Sequence, residues 1–403
     1  MRRINVLYIS GSLGLGHINR DIAIANQLRK LIPEVDIEWL AANPALDVLV
    51  QAGEKLVLGV EQYANENISA ENAAKGSSLN ILSYLLKSRS EWKKNTHFFL
   101  NLIASKHYDL VIGDETYEVS LALKKHPEMK KFPFVMIFDF VGLDAMTMNP
   151  IERFGIYYWN RIWSSEYRLK QKPPFDLALF VGEAEDVPDK TFGFMLPNRR
   201  KFANFFYTFI GYVFPFDITL FSDKQAIRKK HGYGDEPLLI CSIGGTAIGK
   251  EILELCGKAY SIAKGKIPNL HVVIVTGPRL SADTISLPEG VEVKGFIPRL
   301  YEHFAACDLA IVQGGATSTF ELTALRRPFI YFPIEGHCEQ ANVSRILSQR
   351  GAGIKLRLSK TNPELLAEQI LKAIGTNLTY TDIPTDGAQK AAQSLVKLLE
   401  QNS

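Results

Sequence analysis

Short apolar runs alternate with longer amphipathic stretches along most of the chain. Ile4 to Ile9 is rich in branched, strand-favouring residues. A glycine-rich turn (Gly11, Gly14, Gly16) follows, and then the amphipathic stretch Asn19 to Leu31, so the chain opens as strand, loop, helix. Val35–Leu40, Tyr108–Ile112, Phe134–Phe138, Leu177–Val181 and Phe205–Ile210 read as further strands. Strands that alternate with helical stretches predict a parallel sheet covered on both faces. Between Ala64 and His107 the period changes. Leu79, Leu82, Leu86, Phe99 and Leu102 recur at helical spacing with Lys87, Arg89, Lys93 and Lys94 among them, which predicts one long helix or two shorter ones. Ile151 to Arg200 has no clean period and many aromatics (Phe154, Tyr157, Tyr158, Trp159, Trp163, Tyr167). It predicts long loops or short helices.

The second half repeats this grammar. Leu238–Ile243 is a strand, Gly244 to Gly249 a glycine turn, and Glu251 to Lys264 a helix. His271–Val275, Val291–Phe296, Leu309–Val312 and Phe329–Phe332 are further strands. Asn362-Pro363-Glu364 is a helix start, with Asn as cap and Pro in the first turn. The expected architecture is α/β, with two Rossmann-like domains facing across a cleft. The expected boundaries are residues 1–211 for the first domain, 212–236 for a linker carrying Pro215 and Gly232, and 237–385 for the second domain. A last helix over 386–403 is free to pack back on the first domain.

Composition narrows the class. The chain has 403 residues, long enough for two cores. Lys+Arg total 46 and Asp+Glu 43, a net charge of +3, which argues against a general nucleic-acid binder. The four cysteines (Cys241, Cys256, Cys307, Cys338) form no CxxC pair, so neither a zinc site nor a disulfide framework is expected. The chain runs from Met1 directly into a strand pattern, so no signal peptide is expected. The longest uncharged stretch, Phe202 to Phe216, is interrupted by Asn204, Gly211 and Pro215 and falls short of the roughly 20 apolar residues of a spanning helix. A cytoplasmic location is expected. From 151 to 210 there are nine Lys or Arg against seven Asp or Glu, so no polybasic anchor stands out. The aromatics there read as core or pocket wall, with peripheral contact at the inner membrane face as the lesser alternative.

Candidate chemistry sits where strands meet glycine turns. Gly314 to Glu321 follows a strand and opens a helix, and bare amides there, with the hydroxyls of Thr317, Ser318 and Thr319, form an anion site. The alternative is a tight turn whose hydroxyls cap the helix. Downstream come a strand ending at Pro333 and then His337-Cys338-Glu339-Gln340-Ala341-Asn342. The pattern Gly-x-x-(Ser/Thr)-x-x-Glu, a Pro-ending strand, an acidic residue with Gln, and then Asn runs from Gly315 to Asn342. It resembles the nucleotide-sugar-dependent glycosyltransferases of the two-Rossmann (B-type) fold. The nearest likeness is to the families of the peptidoglycan N-acetylglucosaminyltransferase and of the glycosyltransferases of small lipophilic acceptors.

The resemblance implies roles. Gly315, Ser318 and the neighbouring amides would hold the donor diphosphate. Glu321 would accept hydrogen bonds from both ribose hydroxyls, as an ionised carboxylate is acceptor-only. Glu339 and Gln340 would contact the sugar, and Phe296 and Ile297 match the loop whose backbone reads the base. Gly244, Gly245 and Thr246 form a second diphosphate contact, and Arg279 would add positive charge to it. Glycine packing alone and a solvated loop arginine are the plain alternatives. Gln313 stands where many small-acceptor members carry a phosphate-binding His. It donates a hydrogen bond but brings no charge.

In the first half, Gly14-Leu15-Gly16-His17-Ile18-Asn19-Arg20 resembles the Gly-His motif of the same families. As Gly-x-Gly-His-x-x-Arg it also resembles nucleotide-sugar hydrolases of similar fold. His17 lies at a helix start, where the dipole disfavours the imidazolium, and a neutral ring is suited to be the general base for an acceptor hydroxyl. Asp114, at a strand end, matches the Asp that orients that imidazole. Glu115 and Asp139 are alternatives, and loop capping is the plain reading of each. The expectation is an inverting, metal-independent glycosyltransferase using a nucleotide-diphospho-sugar, most simply a UDP-sugar, as co-substrate. It needs no cofactor, binds no nucleic acid, and takes a small-molecule or lipid-linked acceptor. A nucleotide-sugar hydrolase or epimerase on the same fold is the alternative, and a non-catalytic nucleotide-sugar binder the third.

Overall fold

The computed structural model describes residues 3–11, 15–65, 74–75, 78–79, 89–245, 248–376 and 380–402. The chain divides into two compact units, one of residues 1–73, 80–215 and 384–403, the other of residues 74–79 and 216–383. In chain order the strands are β1 (Ile4–Ile9), β2 (Val35–Leu40), the short antiparallel ribbon β3 (Ala74–Lys75) and β4 (Ser78–Leu79), β5 (Leu110–Asp114), β6 (Phe134–Phe138), β7 (Leu177–Val181) and β8 (Tyr207–Gly211). There follow β9 (Leu238–Ser242), β10 (His271–Val275), β11 (Glu292–Lys294), β12 (Leu309–Gln313), β13 (Phe329–Phe332) and β14 (Ile354–Lys355).

The first unit holds a six-stranded sheet in the order β2-β1-β5-β6-β7-β8. All its neighbours pair in parallel. Alternate residues of β1 feed two different cores, as the two-residue period of a strand requires. Val6 and Tyr8 pack with Ile24 and Leu28 of helix α1 (Gly16–Leu31), and Leu7 and Ile9 pack with Val111 and Phe134 on the other face. The last helix, Gly387–Gln401, belongs to this unit and fills the first of these cores with Ala391, Ala392 and Leu395. Its start is tied to the strand edge by Tyr212 N to Pro384 O (3.0 Å) and Gly387 N to Tyr212 O (3.1 Å).

The second unit repeats the plan, with the parallel order β11-β10-β9-β12-β13-β14. Residues 216–236, which the sequence reads as a connection, lie in this unit. There the helix Lys224–His231 docks through Arg228, whose Nε donates to Ala306 O (2.9 Å) and whose Nη2 pairs with Asp308 (2.5 Å).

One stretch differs from expectation. Pro150–Trp163 is a regular helix, capped by Asn149, which accepts from Ile151 N at 2.9 Å. Its period is hidden because polar residues face inward. Glu152 accepts from Met146 N (2.7 Å), and Asn160 bonds both Leu143 N and Phe192 O (each 2.8 Å), while Ile151, Phe154 and Tyr158 are exposed. A pattern search tuned to apolar-in and polar-out does not find such a helix.

Each sheet has one topological switch point, where successive strands are added to opposite sides. These fall between β1 and β5 in the first unit and between β9 and β12 in the second. In open parallel sheets, ligands bind just beyond the carboxyl ends of the strands at such points.

A carboxylate-ringed histidine and a donor-free carboxyl at the two switch points

At the first switch point the carboxyl end of β1 runs through Ser10 and Gly11 towards α1, and β5 ends on Asp114. This brings together residues about a hundred positions apart. His17 Nδ1 lies 3.1 Å from Asp114 Oδ2. Arg20, one turn further along α1, is the hub of the cluster. Its Nε donates to Asp114 Oδ2 (2.8 Å) and its Nη2 to Asp114 Oδ1 (2.5 Å), a fork-to-carboxylate arrangement. Its Nη1 donates to Asp139 Oδ2 (2.6 Å), and Nη2 also lies 2.8 Å from His17 Nδ1. Behind the hub Asp21 accepts from Tyr8 OH (2.9 Å) and Ser10 Oγ (2.5 Å).

The cluster sorts its protons by environment. Burial resists ionisation of Asp114, but Arg20 and His17 overcome it and hold the carboxyl far below the ordinary range. Burial and then Asp139 push Glu115 well up, and burial and Asp114 do the same to Asp21. Glu115 also has a left-handed backbone (φ 51°), a strained position for a non-glycine residue. For His17, burial and Arg20 favour the neutral ring, yet Asp114 and Asp139 outweigh them and leave it above the ordinary histidine value. This corrects the expectation from the helix dipole. Two carboxylates in reach of the ring count for more than the partial charge of a helix end.

Gly11 backs directly onto the imidazole. A Cβ built there would lie 3.1 Å from Asp114 O and 3.4 Å from His17 Cγ and Nδ1. Gly11→Ala should therefore push the Asp114 carbonyl, and with it the end of β5 that carries the carboxylate, away from the ring by a few tenths of an ångström. We expect turnover to fall by about tenfold or more, with substrate binding and melting temperature little changed. A steady-state comparison beside a thermal melt checks this.

At the second switch point β12 ends on Gln313, and the helix Ala316–Ala324 starts with Gly315 as its cap. No side chain caps that helix, and Thr317 and Ser318 are half-buried, so the first-turn amides and these hydroxyls remain available to an anion. Thr319 differs. Its hydroxyl is buried and donates to Gly315 O (2.8 Å), so its proton is engaged by the helix's own backbone. Gln313 Nε2 donates to Ile248 O (2.8 Å) and so clamps the glycine turn of the neighbouring strand. Gly249 in that turn has φ +104°, and a Cβ there would sit 3.0 Å from Gln313 Nε2, so the clamp needs a glycine.

Glu321 is buried (6% exposed), and burial alone pushes it up to about 8. Among the described residues no donor bonds its carboxyl. Gln340 is buried, and its Oε1 accepts from Ile334 N (2.7 Å), which leaves its NH2 without a partner among the described residues. His337 caps the helix Cys338–Arg350 by accepting from Gln340 N (3.3 Å), and burial lowers it to about 4, so it stays neutral. Glu339 is half-buried in that helix's first turn. Phe296 and Arg279 are exposed and Ile297 half-buried, on loops past β11 and β10. Gly244, with φ +81°, and Gly245 begin the clamped turn, and Gly16 begins α1. The calls on Gly14 and Thr246 lie outside the described residues.

Sequence reasoning grouped Arg20 with Gly14 and Gly16 as an acceptor-side motif residue and missed its role as the hub. It also missed Gly11 and the Gln313 clamp. The available signal for the first was an arginine three residues after His17 on a helix, which puts both on one face. Among the described residues no group of three or more His, Cys, Asp or Glu is arranged to hold a metal ion, and no helix is long and apolar enough to cross a membrane.

Two units, each built on a six-stranded parallel sheet, are the architecture of B-type glycosyltransferases, and comparisons agree. The glycosyltransferase SnogD from Streptomyces nogalater superposes with a TM-score of 0.58 at 17% identity, covering 99% of this chain and 100% of that one. Residues 239–399 match the glycosyltransferase family 28 C-terminal domain. An uncharacterized glycosyltransferase of Methanosarcina mazei is 31% identical over 377 residues, 90% of this chain and 88% of that protein. The chain belongs to this glycosyltransferase family. The UDP-N-acetylglucosamine–N-acetylmuramyl-(pentapeptide) pyrophosphoryl-undecaprenol N-acetylglucosamine transferase of Carboxydothermus hydrogenoformans is 29% identical over 183 residues. That match spans 44% of this chain and only 45% of the relative's length.

Proposed function

We propose that the protein is an inverting glycosyltransferase that moves a sugar from a nucleotide-diphospho-sugar to a hydroxyl acceptor. The observation that carries this reading is Glu321, a buried carboxyl that takes no hydrogen bond from a donor among the described residues, beside a helix N-terminus with no side-chain cap. A carboxylate so placed is complementary to a diol, and the amides to a diphosphate, which together describe a nucleotide sugar. The name of the Carboxydothermus relative favours a UDP-sugar as donor and a lipid-linked acceptor, with a small lipophilic acceptor as the other option. A lipid-linked acceptor would bring the protein to the cytoplasmic membrane face as a peripheral visitor.

In this reading His17 removes the acceptor proton as its oxygen attacks the anomeric carbon, and Asp114 supports the imidazolium that forms. The diphosphate leaves into amides and hydroxyls at Gly315–Ser318 and the Gly244–Gly249 turn, which substitute for a metal ion. Gln340, through its NH2, and Glu339 hold the sugar hydroxyls.

The test is a panel of UDP-, GDP- and dTDP-sugars, scored by calorimetric binding and by nucleotide release with and without hydroxyl acceptors. Release that depends on acceptor and persists in EDTA supports the proposal. Equal release without acceptor identifies a hydrolase, and binding without release a non-catalytic binder. Absence of binding across the panel overturns the reading.

A further inference from the structure

His17 Nδ1 faces two groups that make opposite demands. Asp114 Oδ2 at 3.1 Å requires a proton on that nitrogen, whereas an Arg20 Nη2–H at 2.8 Å requires a lone pair. An arginine only donates, and one ring nitrogen cannot satisfy both partners at once. Asp114 has little need of the imidazole, because both its oxygens already take an N–H from Arg20 at 2.8 and 2.5 Å. The shorter contact and the satisfied carboxylate both favour Arg20 as the neutral ring's partner. We propose that Arg20 is a positioning residue that decides which ring nitrogen of His17 carries the proton, holding the resting neutral ring with its hydrogen on Nε2.

The consequence is a gate on the base. With the hydrogen on Nε2, that nitrogen donates and cannot take up an acceptor proton. The productive tautomer, with Nδ1–H on Asp114 and a bare Nε2, requires Arg20 to leave Nδ1. Asp139 offers it a place to go, since Nη1 is already 2.6 Å from Asp139 Oδ2. The charged and titratable groups around the ring are Arg20 on its own helix, Asp114 from β5 and Asp139 after β6, with Glu115 beside Asp139 and Asp21 beside Arg20. The proposal rests on the reading of His17 as the base, but its main readout is independent of activity.

The test is imidazole 15N NMR of the full chain, with His17 assigned by its loss in His17→Gln, compared among wild type, Arg20→Gln and Arg20→Lys. Above the ring's pKa the wild type should show a protonated Nε2 and a bare Nδ1. Arg20→Gln should convert the signature to a protonated Nδ1. The same variant removes a cation next to the ring, so the acid limb of the kcat/KM profile should move up by about one pH unit or more. Arg20→Lys keeps a charge but no fork. It should lose the wild-type tautomer while moving the pH limb less, and it serves as the test if Arg20→Gln does not fold. An unchanged tautomer in a folded variant overturns the proposal even where His17 proves to be the base. If instead His17→Ala leaves turnover intact, the base assignment fails while tautomer control by Arg20 stands.

Discussion

His17→Ala should bind a nucleotide sugar as wild type does and turn it over at least about 100-fold more slowly. The magnitude is that of removing a positioned general base. Binding should survive because the proposed donor contacts all lie in the second unit, around Gly315–Glu321 and Glu339–Gln340, whereas His17 belongs to the first. The pH profile sharpens the expectation. A base must be neutral to act, and His17 is held above the ordinary histidine value by Asp114 and Asp139, against burial and Arg20. Activity should therefore rise with pH through an acid limb above about 6.5. Asp139→Asn removes one of those two carboxylates and should move the limb down. Turnover of His17→Ala within a few-fold of wild type would remove His17 from the chemistry, and a limb that does not respond to Asp139 would deny the electrostatic coupling.

Glu321→Gln should make the protein more stable and a worse donor binder at the same time. The folded-state value of about 8 lies above the ordinary value of 4.5. Between those two values the folded chain keeps a proton that the unfolded chain has released, so stability is present at low pH and falls as pH rises through this window. At about 1.4 kcal/mol per pH unit, the cost at neutral pH is on the order of a few kcal/mol, and a neutral amide escapes it. Urea titrations at pH 5 and pH 8 measure this, with the variant gaining over wild type only at the higher pH. Donor binding runs the other way. Hydrogen bonds to a charged group contribute roughly 1.5–3 kcal/mol, so losing the carboxylate should weaken nucleotide-sugar binding about tenfold or more. Hydroxyl donors would also pull the carboxyl value down in wild type, so donor binding near neutral pH should release a proton. Calorimetry in buffers of different ionisation heat detects that release. A variant that binds as tightly as wild type would take Glu321 out of the donor site, whatever its stability.

The opposing effects at Glu321 share an origin with the strain at Glu115. Each places a carboxyl where folding alone would not favour it, and such positions cluster at sites that serve a ligand.

Much of the fold was legible in the amino-acid sequence, for a physical reason. Strands buried on both faces are near-continuous apolar runs, so Ile4–Ile9, Phe134–Phe138 and Leu238–Ser242 announce themselves despite Asn5 and Ser242. The helix Pro150–Trp163 did not, because its buried face carries Glu152 and Asn160 and its exposed face Ile151 and Phe154. Periodicity reports which residues are apolar, and burial follows polarity only where no polar group is needed inside.

The candidate site divides along the same line. Local order along the chain, from a strand through glycines to a histidine at a helix start, or from a strand through Gly315 to Glu321, was determined by sequence alone, because these features are set within a dozen residues. Only the tertiary structure decided what lies beside His17. The parallel register of β1 with β5, and of β5 with β6, brings Asp114 and Asp139 to one guanidinium across 94 and 119 positions of chain. Electrostatics depends on distance through space, so the sequence could name His17 and Asp114 but not show that Arg20 stands between their claims on one nitrogen.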